Sequence, residues 1–119
     1  MTVQLHVGDG HAGRRYYERL LERAPDFLPH GDDAFVEWHF VPGNFELHIV
    51  ESDVAGSQQG RLRLGVADVE SERQRLVDAD VAVSPIEELA GVVRWCNVDD
   101  PWGNRLGFYQ DLVRFPGRG

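Results

Sequence analysis

A strand, an aspartate and a helix occur twice in this chain, and each time a Gly-Asn turn follows further on. The first copy runs through "VQLHV", Asp9 and "GHAGRRYYERLLERA" into the strands "DDAFVEWHFV" and "NFELHIVES", split by "PGN". The second runs through "RLRLGV", Asp68 and "VESERQRLVDA" into "VAVS", "GVVRWCNV" and "NRLGFYQDL", the last two joined by "DDPWG". Each repeat is about half of the 119 residues, so a solenoid of short repeats is excluded and a pseudo-symmetric pair is favoured.

The periodicities fix which residues share a face. In the first strand Val3, Leu5 and Val7 alternate with Gln4 and His6. Asp9 is placed to cap the helix, on which Ala12, Tyr16, Tyr17, Leu20, Leu21 and Ala24 recur at helical spacing before Pro25. In "NFELHIV", Phe45, Leu47 and Ile49 oppose Asn44, Glu46, His48 and Val50. The second copy sets Leu62, Leu64 and Val66 against Arg61, Arg63 and Gly65, and caps its helix with Asp68. That helix carries Val69, Leu76, Val77 and Ala79 on its apolar side. In the last strand Leu106 and Phe108 face the helices, while Arg105, Gly107 and Tyr109 face away. Gly103 and Asn104 suit positive backbone angles in the turn before it.

These elements predict one α+β domain: two βαβββ modules, about 1–54 and 61–112, a connector 55–60 and a short C-terminal tail. The modules are expected to form a curved, mostly antiparallel sheet whose polar faces line a central cleft. Open sheet edges in so small a domain favour a homodimer.

Net charge of -8 and a pI near 4.9 argue against a nucleic-acid groove and against docking on anionic lipid. Cys96 is the single cysteine, so no internal disulfide forms, which fits a reducing, cytoplasmic setting. The first residues lack a signal-peptide pattern, and no stretch approaches the length of a membrane span. The five histidines show no zinc-motif spacing. "GDGHAG" is not a dinucleotide fingerprint, and its aspartate would repel a phosphate.

Three stretches, "VGDGHAGRRYYERLL", "RLGVADVESERQRL" and "VDDPWGNRLGFYQ", in this order and spacing, resemble the vicinal oxygen chelate superfamily of glyoxalases, bleomycin-resistance proteins and extradiol dioxygenases. The last matches the family's ending "DPxGNxxE". The resemblance implies a divalent metal held by one ligand from each of four strands. Carried onto this chain, those positions are Thr2, Glu46 (with His48 in phase), Arg61 and Gly107. Thr2 is a poor ligand, Arg61 is a fixed cation and Gly107 has no side chain, so the family's metal site and any other cofactor are not expected, while a divalent metal at another position stays open. The expected ligand face comprises Gln4, His6, Glu46, His48, Arg61, Arg63, Arg105 and Tyr109. Trp38, Trp95 and Trp102 are weighed as stacking groups and as core, and Cys96 as a buried inert thiol. Two functions follow from the resemblance: a metal-independent small-molecule binding protein, or a glyoxalase-like isomerase or lyase. The second would use Glu46 and His48 as the acid–base pair and Arg61 as oxyanion partner.

Overall fold

In the computed structural model, residues 1–40, 45–55 and 60–113 are described. The "PGN" turn, Asn44, most of the connector and the tail from 114 lie outside them. The order is β1 (Thr2–Val7), α1 (Gly10–Leu21), β2 (Phe35–Phe40), β3 (Phe45–Glu51), β4 (Leu62–Gly65), α2 (Val69–Asp78), β5 (Glu87–Leu89), β6 (Val93–Asp99) and β7 (Arg105–Asp111). The chain is α+β, with its strands hydrogen-bonded as two small mixed sheets, β1-β3-β2 and β4-β7-β6-β5. It divides into two units: Met1–Gln59 with Asp100–Asn104, and Gly60–Asp99 with Arg105–Gly119.

In the first unit β1 runs parallel to β3, as a strand followed by a crossover helix requires, and β2 is antiparallel to β3. Alternation buries Leu5, Val7, Val36, Trp38, Leu47 and Ile49 on one face, and α1 packs there with Tyr17 and Leu20. Asp9 caps α1 by accepting from the Ala12 N–H at 3.2 Å, and Glu51 accepts from the Gly10 N–H at 2.8 Å. The glycines of "GDGHAG" serve this close packing. A Cβ on Gly10 would stand 2.2 Å from the Asp33 carbonyl oxygen, and one on Gly13 would stand 2.7 Å from Val7 Cγ2. Gly10 and Gly13 are buried, while Ala12 and Ala24, expected on the packed face, are exposed. The helix stops at Leu21, where Glu22 turns left-handed (φ 55°), because the residue before Pro25 is disfavoured in helix.

The sequence predicts a further strand in each module, and the two fare differently. In the second unit it forms as β5, displaced from "VAVS" to Glu87–Leu89. Val81–Ser84 meets β6 only at Ser84, whose N–H donates to the Asn97 carbonyl at 2.9 Å: the Val81 N–H is taken by the Leu76 carbonyl at the end of α2, and Arg73 occupies the Ser84 carbonyl. In the first unit the counterpart shrinks to one bridge, Phe27 to Glu37, between Pro25 and Pro29. The second unit otherwise repeats the plan. β4 is parallel to β7, β6 is antiparallel to β7, and α2 covers the face holding Cys96, Val98, Leu106 and Phe108. Val77, placed on the apolar side of α2 by its spacing, is exposed.

The turn Asp100–Asn104 is part of the first unit's interior. The buried Asp100 carboxylate accepts four hydrogen bonds: from Tyr17 Oη (2.6 Å), Trp102 N (2.9 Å), Asn104 N (2.8 Å) and Asn104 Nδ2 (2.8 Å). Asn104 Nδ2 also donates to the His6 carbonyl at 2.8 Å. Of the two residues expected at positive φ, only Gly103 (φ 85°) has it; Asn104 serves as a fully buried hydrogen-bonding group instead. Trp102 meets Tyr16 edge-to-face at 6.1 Å.

Burial beside Asp100 raises the Tyr17 phenol well above its ordinary 10.0. A raised folded-state value means stability that is intact below about pH 10 and is lost as pH rises through the folded value. Tyr17→Phe is therefore expected to lower unfolding free energy by about 1–3 kcal/mol at neutral pH. It should also flatten the stability profile on the alkaline side of about pH 10. Urea denaturation at several pH values measures both, and an unchanged midpoint would remove the tie.

Candidate functional site

Each sheet leaves one face uncovered by its helix, and the residues with chemistry lie on these faces. On the first unit's sheet the face carries Thr2, Gln4 and His6 from β1, Glu46 and His48 from β3, and Glu37 and His39 from β2. Register sets Glu37 opposite His48 and His39 opposite Glu46. Four atoms then close a ring: Glu37 Oε1 to His39 Nε2 (2.8 Å), His39 Nε2 to Glu46 Oε1 (3.5 Å), Glu46 Oε1 to His48 Nε2 (2.9 Å), and His48 Nε2 to Glu37 Oε1 (3.6 Å).

Glu37 and His39 were not among the residues singled out from the sequence. The signal was present as two Glu-x-His triplets, "EWH" and "ELH", on either side of a hairpin turn. Antiparallel pairing brings each Glu opposite the other strand's His. Glu37 is 9% exposed, and the Phe35 ring lies 5.3 Å from the His48 ring. The Glu37 hydrogen bond, against a smaller opposing effect of burial, raises the His39 imidazole above its ordinary value. The His48 hydrogen bond holds the Glu46 carboxyl below its own. Gln4 is exposed, and His6 is half-buried with its Nδ1 enclosed and unbonded.

The open face of the second unit carries Arg63 and Gly65 from β4, Gly107 and Tyr109 from β7, and Trp95 and Asn97 from β6. Its two glycines have steric causes. Gly107 lies in register between Arg63 and Asn97. A Cβ there would stand 2.5 Å from the Cys96 carbonyl oxygen and 3.3 Å from Arg63 Cγ. Arg63 crosses the bare position to donate to Asn97 Oδ1 from Nη2 at 3.0 Å. Gly65 does the same for Tyr109, whose ring would be 3.0 Å from a Cβ. Beside these rows is a cavity of about 520 Å³ lined by Arg63, Leu89, Val93, Trp95 and Tyr109. The Arg63 guanidinium is 6.0 Å from the Trp95 ring centroid, within cation–π range.

Arg61 is committed elsewhere in this unit. Its Nη1 donates to Asp99 Oδ1 at 2.8 Å and to the Leu106 carbonyl at 2.6 Å. Glu46 has its side-chain partners in His48 and His39. Arg105 is exposed at the start of β7. Cys96 is buried, and desolvation raises its thiol above the ordinary value, which disfavours the thiolate. Trp38 is wholly buried core, its Nε1 donating to the Arg23 carbonyl.

Solved structures superpose on nearly the whole chain. A glyoxalase/bleomycin resistance protein from Catenulispora acidiphila DSM 44928 matches with a TM-score of 0.78 and 27% identity, over 92% of this chain and 96% of that one. The chain has the glyoxalase/bleomycin-resistance fold. The superfamily resemblance carried by the three sequence stretches is borne out at the level of structure. An antibiotic binding protein from Streptomyces sp. CB03234 (TM-score 0.73, 23% identity, 92% and 93% covered) shares the fold. So does a lactoylglutathione lyase from Agrobacterium tumefaciens (TM-score 0.71, 17% identity, 92% and 91% covered). No protein-family model and no curated protein matches the chain. Among the described residues no helix is long and apolar enough to cross a membrane.

The four positions at which the resemblance implies metal ligands do not supply a ligand set. Thr2 is exposed and offers only a hydroxyl. Arg61 is a cation bonded to Asp99, and Gly107 has no room for any side chain without backbone movement. Glu46 alone offers a donor.

Proposed function

We propose that the chain is a small-molecule binding protein built on the glyoxalase/bleomycin-resistance fold, without the superfamily's usual four-strand metal site. The observation that carries this reading is the second unit's cavity, lined by the aromatic Trp95 and Tyr109, the apolar Val93 and Leu89, and the cation Arg63. Apolar walls with one placed charge are what ligand sites commonly use. They suit a planar, largely apolar molecule bearing a carboxylate or similar anionic group, which Arg63 would meet. That one protein sharing the fold is an antibiotic binding protein supports a small-molecule ligand for it. Pairing of two copies at open strand edges belongs to the same proposal; the sedimentation mass decides it, a monomer counting against it.

A thermal-shift screen of aromatic carboxylates against their neutral isosteres tests the ligand class. Saturable stabilisation by the anionic members, without product formation, is the expected result. Trp95→Ala should weaken the best binder by about 2–10-fold, the worth of one aromatic contact. Stabilisation by no member, or an affinity indifferent to Trp95→Ala, would count against the pocket.

A second reading, an isomerase or lyase, is favoured by one contact. His48 Nε2 lies 2.9 Å from Glu46 Oε1, hydrogen-bonding range for an acid–base pair. Arg61 would serve it as oxyanion partner only after releasing Asp99. If the chain turns over a glyoxalase-type substrate, Glu46→Gln should lower kcat by at least about 100-fold with little change in KM. Full activity in that variant would discard this reading.

A further inference from the structure

The ring of Glu37, His39, Glu46 and His48 is a different constellation from the ligand positions the resemblance implies. It lies within one sheet, and shares with them only Glu46 and its in-phase neighbour His48. We propose that it is a binding site for a borderline divalent transition metal, with zinc as the reference ion, held by two imidazole nitrogens and two carboxylate oxygens.

Geometry supports this first. Four of the six donor–donor distances, 2.8, 3.5, 2.9 and 3.6 Å, lie near the edge of about 3.3 Å that a tetrahedron with 2.0–2.1 Å zinc bonds would have. Nitrogen and oxygen donors alternate around the ring. The ligand atoms of Glu37, Glu46 and His48 all lie within 4.8 Å of one another. Three ligands are thus in place, and His39, bonded to Glu37, would swing in as the fourth.

Charge supports it second. Glu37 is nine-tenths buried, and among the described residues its side-chain ion partners are the two histidines, with no lysine or arginine. A buried carboxylate needs a counter-charge. Imidazoles supply one only when protonated, whereas a divalent cation balances both carboxylates with the histidines neutral.

Positioning supports it third. The four residues lie in two register pairs of one antiparallel hairpin, so the backbone ladder fixes their spacing. His48 is further held against Phe35. Two nitrogen ligands select zinc, nickel or cobalt over calcium and magnesium, which take oxygen ligands.

The test uses the full chain, stripped with EDTA and exchanged into chelator-free buffer. Zinc binding is followed by calorimetry, and cobalt by visible absorption. One equivalent of each is expected, with the intense visible band of tetrahedral cobalt. Glu37→Gln and His39→Asn should each weaken zinc by at least about 100-fold, the upper end of what even outer-shell changes cost a metal site. His39 is 39% exposed in its side chain, so its variant keeps the test open if Glu37→Gln fails to fold. The absence of stoichiometric zinc binding by the unsubstituted chain overturns the proposal, as does an affinity unchanged in the folded variants. Binding is read here with metal alone, so the outcome does not depend on whether the second unit's cavity takes an organic ligand.

Discussion

The hydrogen bond from Tyr17 to Asp100 spans 83 residues of sequence and lies in the first unit's interior. Around it a turn from near the end of the chain is tied to α1 through the phenol and to β1 through Asn104. Asp100 is 5% exposed, and Tyr17 and Asn104 are wholly buried. Burying these groups is tolerable because the carboxylate accepts four bonds. The arrangement has a structural consequence for β1. The Asn104 bond to the His6 carbonyl holds the end of the strand that carries Gln4 and His6, beside the strand that carries Glu46 and His48. The register of the first unit's open face thus depends partly on residues from the far end of the sequence.

Much of the fold was legible in the chain because it rests on local rules. Alternation placed Leu5 with Val7, Leu47 with Ile49, and Leu106 with Phe108 on buried faces, and two aspartates announced two helices. The misses came where a tertiary partner decided. "VAVS" has strand composition, yet its first N–H is claimed by the end of α2 and its last carbonyl by Arg73, which leaves one backbone bond, from Ser84, to β6. Ala12 has the right helical phase but is exposed, because the closest approach of α1 to the sheet occurs at glycines, which carry no apolar signal. The turn "DPWGN" read as hairpin chemistry; that its Asp and Asn are buried could not be seen without the tyrosine they meet.

The candidate site was half legible for a related reason. Single-strand alternation finds residues that share a face, as with Glu46 and His48, or Arg105, Gly107 and Tyr109. It does not find what the next strand adds. Glu37 and His39 become visible only when "EWH" and "ELH" are paired across the turn, since the ring is a property of register. A search for histidine spacing along one strand or helix misses ligands brought together by a hairpin.

Gly107 shows how the second unit's face departs from the metal-binding pattern implied by the resemblance. Glutamate at this position would require more than a substitution, because the Cys96 carbonyl oxygen stands where its Cβ would go, and the Arg63 stem fills the row. Bringing the acid back would displace Arg63 from Asn97 and from the rim of the cavity it shares with Trp95 and Tyr109. The bare glycine and the arginine over it are therefore one feature. The first unit's face has the opposite character: its sheet carries two carboxylates and two imidazoles converging at hydrogen-bonding distances. Apolar and cationic side chains are concentrated on one sheet's open face and carboxylate–imidazole pairs on the other's. Losing the implied ligand at Gly107 therefore leaves the donor set of the first sheet untouched, because none of its four residues belongs to the same ladder.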